Sequence, residues 1–187
     1  MKRLFDALAC GLFLLFFWPI LLLVMITIRI ETPGPAIFKQ LRVGKNQRLF
    51  TCYKLRTMYS GTADLPTHEV SVSSITALGE RLRRFKIDEL PQLYNVLVGD
   101  MSLVGPRPCL PAQLELVEAR QRLGVFEVRP GITGLAQIQG IDMSNENRLA
   151  EVDERYVRTQ SLAGDFKLIW ATLRGQGLGV DQVIRSS

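Results

Sequence analysis

Residues 83–108 read RRFKIDELPQLYNVLVGDMSLVGPRP, and this stretch decides how the centre of the chain folds. Apolar side chains recur at helical spacing over 87–98, which predicts an amphipathic helix. The adjacent acids Asp88 and Glu89 fall in its first turn, where Pro91 is tolerated because first-turn N–H groups have no partner inside the helix. A positive helix end favours the ionised form of Asp88, as an oxyanion nucleophile or a metal ligand.

An isolated Asp-Glu pair at a helix start is more often an ordinary cap with solvated acids. The basic residues around this pair indicate a binding site instead of a simple cap. Arg107 lies between Pro106 and Pro108, whose rings fix the backbone and preorganise a side chain that forks onto phosphate. Other basic residues, each of which alone is usually a solvated charge, lie in or beside turn motifs: Lys54, Arg56, Arg83 and Arg129. Together they predict a phosphate-binding site.

The side chains available for catalysis are carboxylates, lysines and arginines. The chain has one histidine, His68 in a polar stretch, and three cysteines without CxxC spacing, Cys10, Cys52 and Cys109. A histidine triad, a zinc site and a disulfide framework are therefore hard to build. Oxygen ligands favour Mg²⁺, which would screen the repulsion between the acids and a pyrophosphate, so we expect Mg²⁺ as the cofactor.

Length and charge set broad limits. The chain has 187 residues, enough for one domain plus a membrane element, with a formal charge of +5. A basic surface suits anionic lipid, sugar nucleotides and nucleic acid alike. The basic residues cluster around carboxylates and prolines, and the sequence carries no recognition helix or RNA-binding signature, so we expect no nucleic-acid partner.

Residues 7–28 form an uncharged apolar run, ALACGLFLLFFWPILLLVMITI. About 20 apolar residues at ~1.5 Å each match a ~30 Å hydrocarbon core, and the run is too long for an ordinary signal peptide. Basic residues flank it on both sides, which favours the cytoplasm for both ends. A break at Pro19 would give a hairpin that keeps both basic flanks in the cytoplasm, whereas a kinked spanning helix would keep only one of them there.

The remaining segments predict a small α+β fold. Pro33-Gly34-Pro35 predicts an exit turn, and two apolar runs around GKNQ predict a β-hairpin. Residues 60–76 resemble a mobile polar loop, and three helices are expected at 78–85, 111–123 and 147–160. A last apolar segment, 166–173, places Trp170 either in an interfacial helix or in the core.

Three motifs, YKLRTM at 53–58, DELPQLYNVLVGDMSLVGPRP at 88–108 and RPGITGLAQ at 129–137, resemble the bacterial sugar transferase family, the small monotopic phosphoglycosyl transferases. The resemblance implies a mostly helical α+β fold, with a reentrant helix-break-helix at 1–30 and a catalytic domain at 31–187. It places the protein on the cytoplasmic face of the bacterial inner membrane, as a minimal catalytic form.

The resemblance also assigns roles to individual residues. Asp88 would be the nucleophile and Glu89 the magnesium ligand, while Arg83 would hold prenyl phosphate and the turn at 106–108 would lie against the nucleotide. Further substrate-binding positions on the matching motifs are Lys54, Arg56, Arg129, Gln137 and Asp153. The chain departs from the family at Gln139 and Ile141, where many relatives carry Asn and Arg.

The implied activity moves phospho-sugar from a UDP-sugar, of the N-acetylhexosamine type, to undecaprenyl phosphate and releases UMP. The expected partners are both substrates and membrane lipids, and a homodimer is left open. Two alternatives are a sugar-only glycosyltransferase, which would release UDP, and a noncatalytic membrane-anchored binding module. The released nucleotide discriminates between the two enzymes.

Overall fold

The computed structural model describes residues 1–61, 74–143 and 145–176. It contains both helices and strands and is mostly helical, which confirms the predicted fold class at that level. The elements, in chain order, are α1 Lys2–Glu31, β1 Ile37–Val43, β2 Leu49–Leu55, α2 Ala77–Arg84, α3 Gln92–Val98, β3 Ser102–Val104, α4 Leu114–Arg122, β4 Gly131–Thr133, α5 Leu135–Ile138, α6 Glu146–Thr159 and α7 Leu162–Leu173.

The strands form two small sheets. β1 and β2 pair antiparallel, with Ile37 opposite Leu55 and Val43 opposite Leu49, so the hairpin predicted around GKNQ is confirmed. β3 and β4 pair in parallel, a contact that the sequence did not predict because each strand has only three residues. The predicted polar loop at 60–76 and His68 lie largely outside the described residues.

The central helix begins later than predicted. Asp88 and Glu89 lie in a separate 3₁₀ turn, Ile87–Glu89, and α3 starts only after Pro91. The turn follows Lys86, whose backbone is left-handed (φ 55°). This conformation changes the direction of the chain after the end of α2. The acids therefore occupy a sharp turn between two helices rather than the first turn of one helix, which corrects the prediction.

Helix α1 runs through Pro19 as one element of 30 residues, ~45 Å long at the usual rise. It is the one helix, among the residues that the structure describes, long and apolar enough to cross a membrane. No break is seen at Pro19, so the helix-break-helix form and the reentrant topology stay predictions.

Both ends of α1 are attached to the rest of the fold. Near its start, Cys10 is buried in a core cluster with residues of β2 and α3. Near its end, Ile28 is buried with residues of β2 and α2. The opposite face of the helix is apolar and exposed, through Leu8, Leu12, Leu15, Phe16, Leu23, Ile26 and Ile30. An exposed apolar stripe of this length requires a lipid or protein cover.

Polar contacts strengthen both attachments. Arg3 donates to the carbonyls of Val96 and Leu97 at the end of α3. The buried carboxylate of Asp6 accepts a hydrogen bond from Ser102 Oγ at 2.7 Å. These contacts fix the start of α1 against the elements that follow the acid pair.

Helix α7 extends the exposed apolar surface. Its Phe166 ring packs edge-on against Phe5 of α1 with centroids 4.8 Å apart, while Trp170 is 58% exposed and carries Arg174 over its ring. Trp170 is thus not a core residue. Of the two interpretations of this segment, the structure favours the interfacial helix.

Candidate active site

The acid pair lies buried at the centre of the domain. The 3₁₀ turn that carries it contacts both α2 and β2, and Asp88 and Glu89 are only 9% and 7% exposed. Two adjacent carboxylates in such a place repel each other and lose hydration, so neighbouring cations must stabilise at least one of them.

Glu89 has those cations. Its Oε1 accepts a hydrogen bond from Arg107 Nη2 at 2.6 Å, and Lys54 Nζ lies 3.5 Å from the same oxygen. Burial disfavours the charged form, but the positive charges of Arg107 and Lys54, together with the hydrogen bond, lower the pKa of Glu89 to about 2. Glu89 is therefore a permanent anion at neutral pH.

Asp88 is in the opposite situation. Its carboxylate makes no side-chain hydrogen bond or ion pair within the described part of the chain, and burial together with the negative charge of Glu89 raises its pKa to about 6. A pKa of about 6 still leaves Asp88 mainly ionised at neutral pH, which agrees with the predicted charge state, although burial and Glu89 oppose it. Asp88 is therefore a buried carboxylate that is mainly anionic at pH 7.

Three predicted phosphate-binding cations lie around Asp88. The charges of Lys54, Arg83 and Arg107 each act on it, in the direction that favours its anion. Burial and the charge of Arg107 lower the pKa of Lys54, and Arg83 is oriented by a hydrogen bond from its Nε to Thr57 Oγ1 at 2.9 Å. In the described part of the chain, these three basic side chains surround the two acids, an arrangement that suits a phosphate.

Other predicted residues make contacts elsewhere. The Arg56 guanidinium donates to Thr32 O at 2.7 Å and Pro33 O at 2.8 Å, and so holds the end of α1. Arg129 Nε donates to Gly99 O, and Gln137 is buried with its amide nitrogen on a backbone carbonyl. Their substrate-binding roles stay predictions, as do those assigned to Asp88 and Glu89.

The turn at 106–108 is fixed by backbone contacts. Gly131 N donates to Pro106 O at 2.9 Å, and the backbone of Gly105 lies so close to Gly131 that a Cβ on Gly105 would sit 2.9 Å from Gly131 N. The glycines of the VGPRP and RPGITG motifs thus allow two loops to pack directly on each other. A shallow depression beside Arg107 is lined partly by Val43, Pro108 and other apolar residues.

Asp153 lies behind this turn rather than in the acid cluster. Its carboxylate is 2% exposed and accepts two hydrogen bonds from Arg120 of α4. No sequence motif indicates a role for Arg120. The available signal was its position four residues after Leu116, on the apolar face of α4, where a charge requires a buried partner.

The site fits a magnesium ion. No three or more His, Cys, Asp or Glu side chains converge within residues 1–61, 74–143 and 145–176, which excludes a full protein cage from that part of the chain. Mg²⁺ usually binds one or two carboxylates and keeps waters or substrate phosphates as its other ligands. Asp88 and Glu89 offer that donor set, although one Glu89 oxygen is shared with Arg107 and Lys54.

Comparison with known proteins identifies clear relatives. The model of the family described as bacterial sugar transferase matches residues 1–176. UDP-glucose:undecaprenyl-phosphate glucose-1-phosphate transferase of Caulobacter vibrioides is 39% identical, over 92% of this chain and 68% of its own length. Undecaprenyl-phosphate glucose phosphotransferase of Komagataeibacter xylinus is also 39% identical, over 92% of this chain but 35% of its own length.

A third relative is named for a different sugar. UDP-N-acetylgalactosamine-undecaprenyl-phosphate N-acetylgalactosaminephosphotransferase of Aeromonas hydrophila is 35% identical, over 92% of this chain and 43% of its own length. The chain thus spans about two thirds of the first relative and less than half of the other two.

The raised pKa of Asp88 predicts a pH-dependent stability. The unfolded carboxyl titrates near 3.8 and the folded one near 6, so the unfolded state loses its proton first and stability falls as the pH rises between these values. Asp88→Asn removes the free-energy cost of ionising this carboxyl in the folded state. We expect the variant to be more stable than the wild type by ~1–3 kcal/mol at pH 8, and by nothing near pH 4.

Chemical denaturation in one detergent across this pH range measures the difference. Glu151→Gln, at an exposed position, is the control and should show no such trend. An Asp88→Asn difference that stays constant from pH 4 to pH 8 would show that the carboxyl is not perturbed.

Proposed function

The chain belongs to the bacterial sugar transferase family, which confirms the expected enzyme class, and we propose that it transfers phospho-sugar from a UDP-sugar to undecaprenyl phosphate. The products would be undecaprenyl diphosphate sugar and UMP. The observation behind this proposal is that the two acids have different ion-pair partners and opposite pKa shifts. Arg107 and Lys54 hold Glu89, while Asp88 is left without an ion pair in the described chain and with a perturbed pKa.

In the first half-reaction, an oxygen of ionised Asp88 attacks the β-phosphorus of the UDP-sugar. A new aspartyl O–P bond forms and the bond from that phosphorus to the UMP oxygen breaks, so UMP leaves with the electron pair. The nucleophile needs no general base because most of the population is already deprotonated at pH 7. Arg107, Lys54 and Arg83 would bind the phosphate oxygens, where positive charge stabilises the developing negative charge.

In the second half-reaction, a phosphate oxygen of undecaprenyl phosphate attacks the same phosphorus. The aspartyl O–P bond breaks, Asp88 regains its charge, and a diphosphate linkage to the lipid is formed. The positive charges of Lys54, Arg83 and Arg107 favour the anion of Asp88 and so favour its departure as a carboxylate.

Mg²⁺ would bind at the acid pair, and the nucleotide would bind beside Arg107. Glu89, and the free oxygens of Asp88 before the reaction, would hold Mg²⁺, which when bound supplies charge screening for the diphosphate. The turn at 106–108 would lie against the nucleotide, with the Arg107 side chain on its phosphates.

The contacts of α1 support a monotopic placement on the cytoplasmic side of the inner membrane. Lys2 pairs with Asp165 of α7 at 2.5 Å, and at the other end Glu31 accepts a hydrogen bond from Leu78 N of α2. A straight crossing would separate these residues by the thickness of a bilayer, yet both contact the same folded domain. The exposed apolar stripe of α1 would then enter one leaflet.

The relatives are named for different sugars. The family resemblance implies an N-acetylhexosamine, and the relatives are named for both glucose and N-acetylgalactosamine. A panel of UDP-glucose, UDP-N-acetylglucosamine and UDP-N-acetylgalactosamine, with the released nucleotide identified, tests the choice. Release of UDP would replace this proposal by the sugar-only transferase.

The proposed mechanism predicts a covalent intermediate. Incubation with the accepted UDP-sugar and Mg²⁺, without undecaprenyl phosphate, should release at most about one equivalent of UMP and add one phospho-sugar to the protein. Intact-mass spectrometry measures the adduct, and peptide mapping should place it on Asp88. Asp88→Asn should give neither adduct nor turnover. A preparation that is active in the full reaction but shows no adduct and no burst would mean direct transfer.

A second prediction concerns Glu89. Glu89→Gln removes the anion that pairs with Arg107 and Lys54 and substitutes a poor ligand for a hard cation. We expect turnover to fall about 10–100-fold or more and the Mg²⁺ titration to shift to higher concentrations. Glu118→Gln, an exposed change on α4, is the matched control. An unchanged Mg²⁺ titration for Glu89→Gln would remove this residue from the metal site.

A further prediction concerns topology. In a background lacking Cys10, Cys52 and Cys109, one cysteine is added before Met1 and another replaces exposed Arg29, with a third at exposed Glu151 as the domain reference. All three should react with a membrane-impermeant thiol reagent only from the cytoplasmic side. Labelling of the N-terminal cysteine from the periplasm alone would establish a spanning helix.

A further inference from the structure

Arg120 is among the most deeply buried charges in the described chain. It is 1% exposed on α4 and pairs with Asp153 of α6, which is 2% exposed. Arg120 Nε and Nη2 both donate to Asp153 Oδ2, at 3.0 and 2.6 Å. Such a pair adds little net stability compared with apolar side chains of similar size, because removing both charges from water is costly. Its presence calls for a reason other than stability.

The third guanidinium nitrogen of Arg120, Nη1, makes a contact that supplies this reason. Its Nη1 donates to the backbone carbonyl of Arg107 at 2.8 Å. The side chain of the same residue reaches Glu89 Oε1 at 2.6 Å. Asp153 is therefore linked to the acid pair by hydrogen bonds on either side of Arg107, whose own covalent structure joins its backbone carbonyl to its guanidinium.

Asp153 and Arg120 have different roles in this arrangement. Asp153 takes two N–H groups of Arg120 on one oxygen, which fixes the plane of the guanidinium and leaves Nη1 directed at the turn. A lysine has one ammonium on a flexible stem and cannot hold both directions with the same rigidity. An apolar side chain could fill the space but could not bind the carbonyl.

We propose that Arg120 and Asp153 are positioning residues for the transfer reaction, which set the backbone of Arg107 and through it the contact of Arg107 with Glu89. This inference rests on the proposed function for its assay. It gives Asp153 a role behind the site instead of direct substrate binding, and it adds Arg120, to which the sequence motifs gave no role. Misplacement of a catalytic group by about 1 Å can cost about 10²-fold in rate.

The test compares variants that separate folding from positioning. Arg120→Lys keeps a charge opposite Asp153 but weakens the bond to the Arg107 carbonyl. The double variant Arg120→Met with Asp153→Leu replaces the ion pair by apolar side chains of similar size. Arg158→Met with Glu154→Leu treats a surface pair of α6 in the same way and serves as the control. Melting temperature, kcat and both KM values are measured for each protein in the same detergent.

We expect the apolar double variant to melt at or above the wild-type temperature while kcat/KM for the UDP-sugar falls about 10–100-fold. Arg120→Lys should lose activity to a similar extent, and for both proteins the KM for undecaprenyl phosphate should not change. The surface control should retain full activity.

Recovery of both stability and activity in the apolar double variant would overturn the proposal, because the pair would then be structural only. Full activity of a stable Arg120→Lys protein would overturn it as well. Failure of the wild type to release UMP from any UDP-sugar would instead count against the proposed function, so the two failures are distinguishable.

Discussion

The ion pair between Arg107 and Glu89 is the interaction on which the site depends. Two adjacent carboxylates are buried in one turn, and a protein interior does not tolerate two neighbouring anions without compensation. Arg107 and Lys54 stabilise the anion of Glu89 and lower its pKa, and the field of that fixed anion contributes to the raised pKa of Asp88. The two acids therefore have opposite pKa shifts, although they are neighbours in the chain.

Much of the fold can be understood as support for that pair. The hairpin strand β2 brings Lys54 to the acids, and the close approach of Gly105 and Gly131 brings the turn at 106–108 to them from the other side. The left-handed Lys86 makes the chain turn sharply between α2 and α3, so that both acids face these cations. A bulky residue at either glycine would separate two loops whose backbones are in contact.

The sequence predicted those features that depend on local chemistry. The hairpin follows from two apolar runs around a turn, and the basic residues near the acids follow from their place in turn motifs. The start of α3 was predicted too early because helical spacing of apolar residues continues through a 3₁₀ turn, and no pattern reveals a left-handed lysine. The helix-end argument predicts an ionised Asp88 from local dipoles alone, whereas the raised pKa reflects burial and the charge of Glu89, which depend on the whole fold. Arg120 was missed since its partners lie 13 and 33 residues away.

The attachments of α1 bear on how the protein can be handled. Glu31 accepts a hydrogen bond from Leu78 N at the start of α2, and Arg3 holds the last carbonyls of α3. These two helices flank the acid turn, so each end of α1 supports one side of it. The apolar helix is therefore part of the same folded unit as the acid turn and not a separate tether. A shortened protein beginning after residue 31 would leave the outer ends of both flanking helices without these partners, and the loss would reach the acids from two directions.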